Sequence, residues 1–213
     1  MRTFSELELD ALAEAFNLSL GEAAATFSAI VREEIELSVP IVEFITRESL
    51  TRRLRADQPE GGAARLCRIN QSFTDENHCT TDALLLFPEH GSLEIVRRML
   101  GDDTPIQHIT ELEQDALAEI GNIIINSCMA SLANLIGSEL IGSLPRVQCK
   151  DADSLLNDKD PDALILVARI GMMMAAHNLS GFVLFLMDVP AVDHFMARLA
   201  EVFRLPGAAS AIE

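Results

Sequence analysis

A pattern of polar residues occurs twice in this chain at one offset, and it limits the fold more than any other feature. The pattern is Asp, three residues, Glu, two residues, Asn, twenty-two residues, Pro. The first copy is Asp10, Glu14, Asn17 and Pro40; the second is Asp115, Glu119, Asn122 and Pro145, so all four positions recur 105 residues on. At an average usage of roughly 5% per residue type, a four-for-four match at a chosen offset has a chance probability on the order of 10⁻⁵. The chain reads as a duplication in which the repeated residues are mostly polar.

A helix turns about 100° per residue, so positions i, i+4 and i+7 fall within roughly 60° of one another. Asp10, Glu14 and Asn17 therefore share one stripe, as do Asp115, Glu119 and Asn122. Leu9, Leu12, Phe16, Leu20, Ala23, Phe27 and Ile30 cluster on the opposite side of the first helix, and Leu117, Ile124, Cys128, Leu132 and Leu135 on that of the second. Each half thus begins with a long amphipathic helix whose back lies in the core and whose front shows a carboxylate and an amide. Ser5 with Glu8 and Thr110 with Glu113 have capping-box spacing, again 105 apart. Gly137 is the expected C-terminal stop of the second helix.

The remaining segments alternate in a regular way. In the first half a strand over 36–45 holds the repeated proline, and a Pro/Gly-rich loop follows over 57–64. A strand over 65–73, a polar loop over 74–82, a strand over 83–87 and a helix over 92–100 complete it. In the second half the spacing predicts a strand over 140–149, a polar loop over 151–162, strands near 163–173 and 181–187, and a helix over 191–203. A proline inside a strand lacks a donor and belongs at an edge, a bulge or the strand start. Each half is helix, strand, strand, strand, helix, and short connections predict antiparallel hairpins. The fold class is α+β, a duplicated repeat with pseudo-two-fold symmetry whose long helices pack on an antiparallel sheet. At 213 residues about 70% of the surface can be buried, and a single two-lobed domain over 1–213 is expected. Its repeats run over about 5–100 and 110–203, with a break at 101–109 and a disordered tail from Leu205.

Charge narrows the function. With 33 acidic against 16 basic residues the formal charge is −17, which argues against binding to phosphate backbones, and no Trp or Tyr is available to stack on bases. Nucleic acid is not an expected partner. The first ten residues hold no apolar signal region, and the longest uninterrupted apolar stretches are far short of a membrane span. A soluble, cytoplasmic protein without membrane insertion is expected. Cys67, Cys79, Cys128 and Cys149 show no C-x-x-C spacing, and reduced structural thiols are the expectation. His78, His90, His108, His177 and His194 are scattered without ligand spacing, so no metal site is expected, and His177 with Asn178 reads as turn chemistry.

There is no nucleophile elbow, no H-E-x-x-H and no phosphate-cradling glycine loop. One reaction does suit an amide beside a carboxylate. Hydrolysis of a phosphoryl group passes through a loose transition state that asks little of a base, and an amide can position the attacking water. A protein aspartyl-phosphate is labile, so orientation alone gives useful acceleration. The competing reading of one such triad is a solvated helix face, and duplication at fixed spacing weakens it.

The segment Glu119-Ile120-Gly121-Asn122, with Pro145 at the matching distance and the whole pattern present twice, resembles the CheC, CheX and FliY family of chemotaxis phosphatases. The family motif is Asp or Ser, three residues, Glu, two residues, Asn, twenty-two residues, Pro. The resemblance runs from about Ser5 to Phe203, and two copies in about 210 residues is the arrangement of CheC, whereas CheX has one copy. It implies removal of the phosphoryl group from the aspartate of CheY-like receiver domains. Carried over, Glu14 and Glu119 anchor the receiver's lysine, while Asn17 and Asn122 orient the hydrolytic water. Asp10 and Asp115 help shape the binding surface, and Pro40 and Pro145 are structural. The resemblance implies no cofactor of the chain's own; Mg²⁺ belongs to the receiver, and the receptor deamidase CheD is a candidate partner.

Two differences between the copies lie beside the motif residues. The family commonly has Gly before the motif Asn, which the second copy keeps as Gly121 and the first replaces with Phe16; both fall on the core side, so the bulk of Phe16 is expected to change packing depth rather than chemistry, and a tilt of the first helix makes Asn122 the first choice of the two. Asn126 shares the second stripe where Gly21 stands in the first, and it reads as a solvent-facing polar residue. The alternative function is a non-catalytic receiver-binding or scaffold module of the same fold.

Overall fold

The structure is a computed structural model that describes residues 4–56, 65–100, 110–151, 154–155, 160–174 and 179–205. The loop expected over 57–64, the break at 101–109 with His108, the turn with His177 and Asn178, and the tail beyond Leu205 lie outside the described residues. In chain order the elements are α1 (Glu6–Val31), β1 (Ile35–Leu37), β2 (Ile41–Thr46), α2 (Arg47–Ala56), β3 (Arg65–Asp75), β4 (Thr80–Pro88) and α3 (Glu89–Leu100). They continue with α4 (Glu111–Ile136), β5 (Leu140–Gly142), β6 (Arg146–Asp151), β7 (Leu164–Met174), β8 (Leu179–Met187) and α5 (Val189–Phe203).

The long helices start and stop as their sequences direct. At α1 the Glu8 amide donates to the Ser5 hydroxyl at 3.3 Å, and the Ser5 amide donates to the Glu8 carboxylate at 2.8 Å. At α4 the Thr110 amide and hydroxyl both donate to the Glu113 carboxylate, the amide at 2.8 Å. Two donors that the helix itself leaves unmet are thereby satisfied at α1. Both helices end on a left-handed residue, Gly137 (φ 63°) and, 105 residues earlier, Arg32 (φ 57°).

Among the described residues eight strands form one antiparallel sheet whose central order is β7-β8-β4-β3. The expected hairpins are present, with Asn70 of β3 opposite Leu84 of β4 and Ile170 of β7 opposite Val183 of β8. The edge strands, however, cross between halves. β1 and β2 pair with β7, whereas β5 and β6 pair with β3. Each half therefore completes the sheet of the other.

The strands expected over 36–45 and 140–149 are each cut in two at Ser-x-Pro. The Ser143 amide donates to Ser72 O at 2.8 Å, and its Oγ accepts from the Ser72 amide at 3.0 Å. Ser38 makes the same pair of bonds with Gly171, at 2.9 and 2.8 Å. A serine hydroxyl stands in for a backbone acceptor at the break, and the proline, which has no N–H to offer, sits just before the strand resumes. The helix α2 was not legible in the sequence, because only Leu50 and Leu54 mark an apolar side among ten residues of which half are charged.

Alternation along the central strands sorts the core onto two faces. Ile69, Phe73, Leu85, Phe87, Leu166, Ala168, Ile170, Val183 and Phe185 face a large cluster with α1, α3, α4 and α5. Leu66, Leu84, Leu86, Ile165, Val167, Leu184 and Leu186 face Leu50 and Leu54 of α2 and Leu155. Among the described residues α4 alone is long and apolar enough to cross a membrane by length and composition; here Leu117, Ile120, Ile124, Cys128 and Leu132 bury its apolar face in the core.

The thiols depart from expectation. Cys67 of β3 and Cys149 of β6 stand opposite each other and form a disulfide, with Cα atoms 4.0 Å apart. Their pairing was hidden because it depends on the crossing of β6 to the first half. Cys79 and Cys128 are free, and burial pushes the Cys128 thiol up to about 12, which leaves it protonated and unreactive.

Candidate functional site

The two polar stripes lie where the helical period puts them. Asp10, Glu14 and Asn17 are exposed on α1, and Asp115 and Glu119 lie on the matching face of α4, while Asn122 is half-buried. The opposite faces are sealed by Leu12, Phe16, Leu20 and Phe27 in one helix and by Leu117, Ile124, Cys128 and Leu132 in the other.

Asn122 is held by its neighbours. Gln71 of β3, 1% exposed, donates from Nε2 to Asn122 Oδ1 at 3.2 Å and to Ser143 O at 3.0 Å. Asn126, one helical turn on, donates from Nδ2 to Asn122 Oδ1 at 2.8 Å and to Asn122 O at 2.7 Å. The motif proline has a physical place in this arrangement. Pro145 ends the Ser143-Leu144-Pro145 break, whose Ser143 carbonyl shares the Gln71 amide with Asn122. The wide spacing between Asn and Pro thus brings the turn at the strand break beside the amide.

Gly121 permits the contact between helix and sheet. It is buried, and a Cβ on it would lie 2.3 Å from Cγ2 of Ile69, two residues from Gln71 on the same face of β3. Phe16 takes the matching place in α1, fully buried, with its ring stacked on Phe185 (centroids 4.8 Å apart) and Phe195 (6.0 Å). The bulk expected to alter packing there is accommodated by the ring stack.

The first motif lacks the support. Asn17 makes no side-chain hydrogen bond among the described residues. Gly21 stands where α4 has Asn126. Arg146 pairs with Asn70 of β3, and Ile41, 105 residues earlier, pairs with Arg169 of β7, so the place of Gln71 is taken by Ile170.

Asn126 is therefore not the solvent-facing residue its position suggested; it is half-buried and bonded to the motif amide. An amide pair at i, i+4 was the available signal. Gln71 had a fainter one, a lone polar residue in the core-facing alternation Cys67, Ile69, Gln71, Phe73 of an apolar strand.

Other groups have structural roles. His194 of α5 lies 3.4 Å from the Asp75 carboxylate and 3.0 Å from Asn77 Nδ2, which ties the helix to the β3–β4 turn. Among the described residues no group of three or more His, Cys, Asp or Glu is arranged to hold a metal ion. The site can offer hydrogen bonds and negative charge, which suits orientation of water and capture of a cationic side chain.

No family model matches the chain. The flagellar motor switch phosphatase FliY of Bacillus subtilis is 25% identical over 166 residues, which are 76% of this chain and 41% of FliY. The CheY-P phosphatase CheC of the same organism is 26% identical over 145 residues, 67% of this chain and 66% of CheC. The chain spans under two thirds of either relative. Among solved structures, Thermotoga maritima FliY superposes with a TM-score of 0.74 at 19% identity, covering 94% of this chain and 100% of that one. The FliM middle domain of H. pylori gives 0.65 at 11% identity over 92% and 99%. The antiparallel sheet with its packed helices is the fold of these proteins.

Proposed function

We propose that this member of the CheC, CheX and FliY family is a phosphatase that acts on the aspartyl-phosphate of CheY-like receiver domains. The observation that carries the reading is the Asn122 carboxamide, held by two buried or half-buried amides one turn from Glu119. A solvated helix face has no need of a buried glutamine to orient one of its amides.

In this reading the helix lies over the receiver's phosphorylated aspartate. Glu119, or Glu14 at the other site, pairs with the receiver's lysine and sets the register. Asn122 or Asn17 holds a water in line with the P–O bond to the aspartyl carboxylate. The water oxygen forms a new P–O bond as the acyl-phosphate P–O bond breaks; the carboxylate leaves with the bonding electrons, and the water's protons pass to the phosphate and solvent. Orientation supplies the acceleration, since the loose transition state needs little from a base. Asp10 and Asp115 shape the surface, Mg²⁺ comes with the receiver, and the cytoplasm is the compartment. CheD is a further proposed partner.

The test is phosphate loss from a purified phosphorylated receiver with wild type, Asn17→Ala, Asn122→Ala and the double variant. Acceleration that the double variant abolishes supports the phosphatase. Receiver binding without acceleration rejects it and leaves a binding or scaffold module.

A further inference from the structure

Asn17 and Asn122 hold equivalent places in the two motifs, yet only one of them is fixed. We infer that Gln71 and Asn126 are positioning residues that lock the Asn122 carboxamide with its nitrogen outward, so that the second motif meets the attacking water as a hydrogen-bond donor. The inference rests on the phosphatase reading above for its chemistry, and on the hydrogen bonds alone for its geometry.

The oxygen and nitrogen of a side-chain amide are told apart by their partners. Two backbone carbonyls, which can only accept, decide the matter here. Ser143 O, 3.0 Å away, requires Gln71 to present its nitrogen, and Asn122 O, 2.7 Å away, requires the same of Asn126. Each of these nitrogens has a second hydrogen, and each directs it at Asn122 Oδ1, at 3.2 and 2.8 Å. Both lone pairs of that oxygen are then taken. A half-turn of the Asn122 amide would set its own NH₂ against two donors and forfeit both bonds. Nδ2 of Asn122 bonds to none of the described residues and is not sealed from solvent.

The outward nitrogen has one role available to it. It donates to the water oxygen, which keeps a second lone pair for phosphorus, while the water's hydrogens are left to the phosphoryl oxygens. The lock is built across the halves, with Gln71 from the first and Asn122, Asn126 and Ser143 from the second. Asn17 has Gly21 and Ile170 in place of the two amides, so its carboxamide rotates without preference.

Two measurements on the full chain test this. In an Asn17→Ala background, which isolates the second motif, Gln71→Met and Asn126→Asp each lower kcat about 10-fold with KM for the receiver within about twofold. The ionised carboxylate that Asn126→Asp introduces has no hydrogen to donate and attracts the Asn122 nitrogen while Gln71 still donates to the oxygen, so this variant removes the single preferred orientation. Asn126→Gly, which copies the first half, gives the same direction if the aspartate variant fails to fold. Unchanged kcat in variants that melt like their parent overturns the inference. Independently of any activity, side-chain ¹⁵N relaxation of the two motif amides should give an order parameter of about 0.8 for Asn122 and one below about 0.6 for Asn17, with Gln71→Met lowering the first. Equal mobility of the two amides overturns the lock, whereas a wild type inert toward every receiver overturns only the phosphatase reading.

Discussion

Gly121 of α4 packs against Ile69 of β3 so closely that a Cβ on the glycine would stand 2.3 Å from the isoleucine Cγ2. The contact sets how far the helix lies from the sheet, and so whether Gln71 on that strand can reach Asn122. Gly121→Ala is expected to push α4 outward. Overpacking costs about 1–3 kcal/mol, offset by about 1 kcal/mol of helix propensity. Denaturant unfolding should show a small net loss of stability, while turnover by the second motif, measured with Asn17→Ala, should fall much more than the stability change suggests.

Phe16 holds the matching place in α1 by the opposite means, with its buried ring stacked on Phe185 and Phe195. Phe16→Ala leaves a cavity at the junction of α1, β8 and α5 and should cost about 3–5 kcal/mol. Urea unfolding at constant m-value checks it; a loss under about 1 kcal/mol would mean that the ring does not hold α1 in place.

Arg32 adopts at the end of α1 the left-handed conformation that Gly137 adopts at the end of α4. A Cβ makes that conformation unfavourable by about 1–2 kcal/mol, and the flexibility of glycine in the unfolded chain cancels about half. Arg32→Gly should therefore raise the melting temperature by about 1–4 °C, and Gly137→Ala should lower it by a similar amount. Calorimetry on both variants decides whether the two caps are energetically alike.

The Cys67–Cys149 disulfide closes 82 residues of sequence and pins β6 to the strand that carries Gln71. Disulfides typically contribute about 2–4 kcal/mol. Reduction, or Cys67→Ser with Cys149→Ser, should lower the melting temperature by about 4–15 °C. Alkylation of the unreduced native protein should mark the half-buried Cys79, slowly because burial, Asp75 and Asp188 raise its thiol, and spare Cys128, which is buried and pushed up to about 12. An equal melting temperature with and without reductant would show that the sheet needs no cross-link.

Glu94, Glu113 and Asp151 link stability to acid, Asp151 being held below the usual carboxylate range by the Ser154 hydroxyl and then by its own backbone amide. The Thr110 hydroxyl and amide hold Glu113 below the usual carboxylate range, and Arg97 followed by Arg98 does the same for Glu94. A group whose pKa is depressed by folding contributes stability above its unfolded value, about 4.3 for a glutamate, and loses it as pH falls through the folded value. The urea midpoint should stay level above about pH 5 and decline in more acid solution. Glu113→Gln and Glu94→Gln should each flatten that decline; an unchanged slope in both variants would place the acid sensitivity elsewhere.

The helices were legible because everything that makes them is local. Asp10, Glu14 and Asn17 share a stripe by arithmetic of the helical turn, Ser5 and Glu8 close a capping box three residues wide, and Gly137 ends a helix through its own backbone freedom. The repeat at 105 residues exposed the motif amides and carboxylates for the same reason. Strand partners are not local. Nothing in residues 140–151 states that they will pair with β3 of the other half, so the sequence alone left hidden the meeting of Cys149 with Cys67 and of Ser143 with Gln71. Pairing is decided by how both apolar faces of the sheet are covered at once, which is a property of the packed whole. The sequence by itself determined which amides stand on which helix face; tertiary structure decided that Asn122 would be gripped and Asn17 would not, because the grip needs a glycine-wide gap between α4 and β3 and a glutamine from the opposite half of the chain.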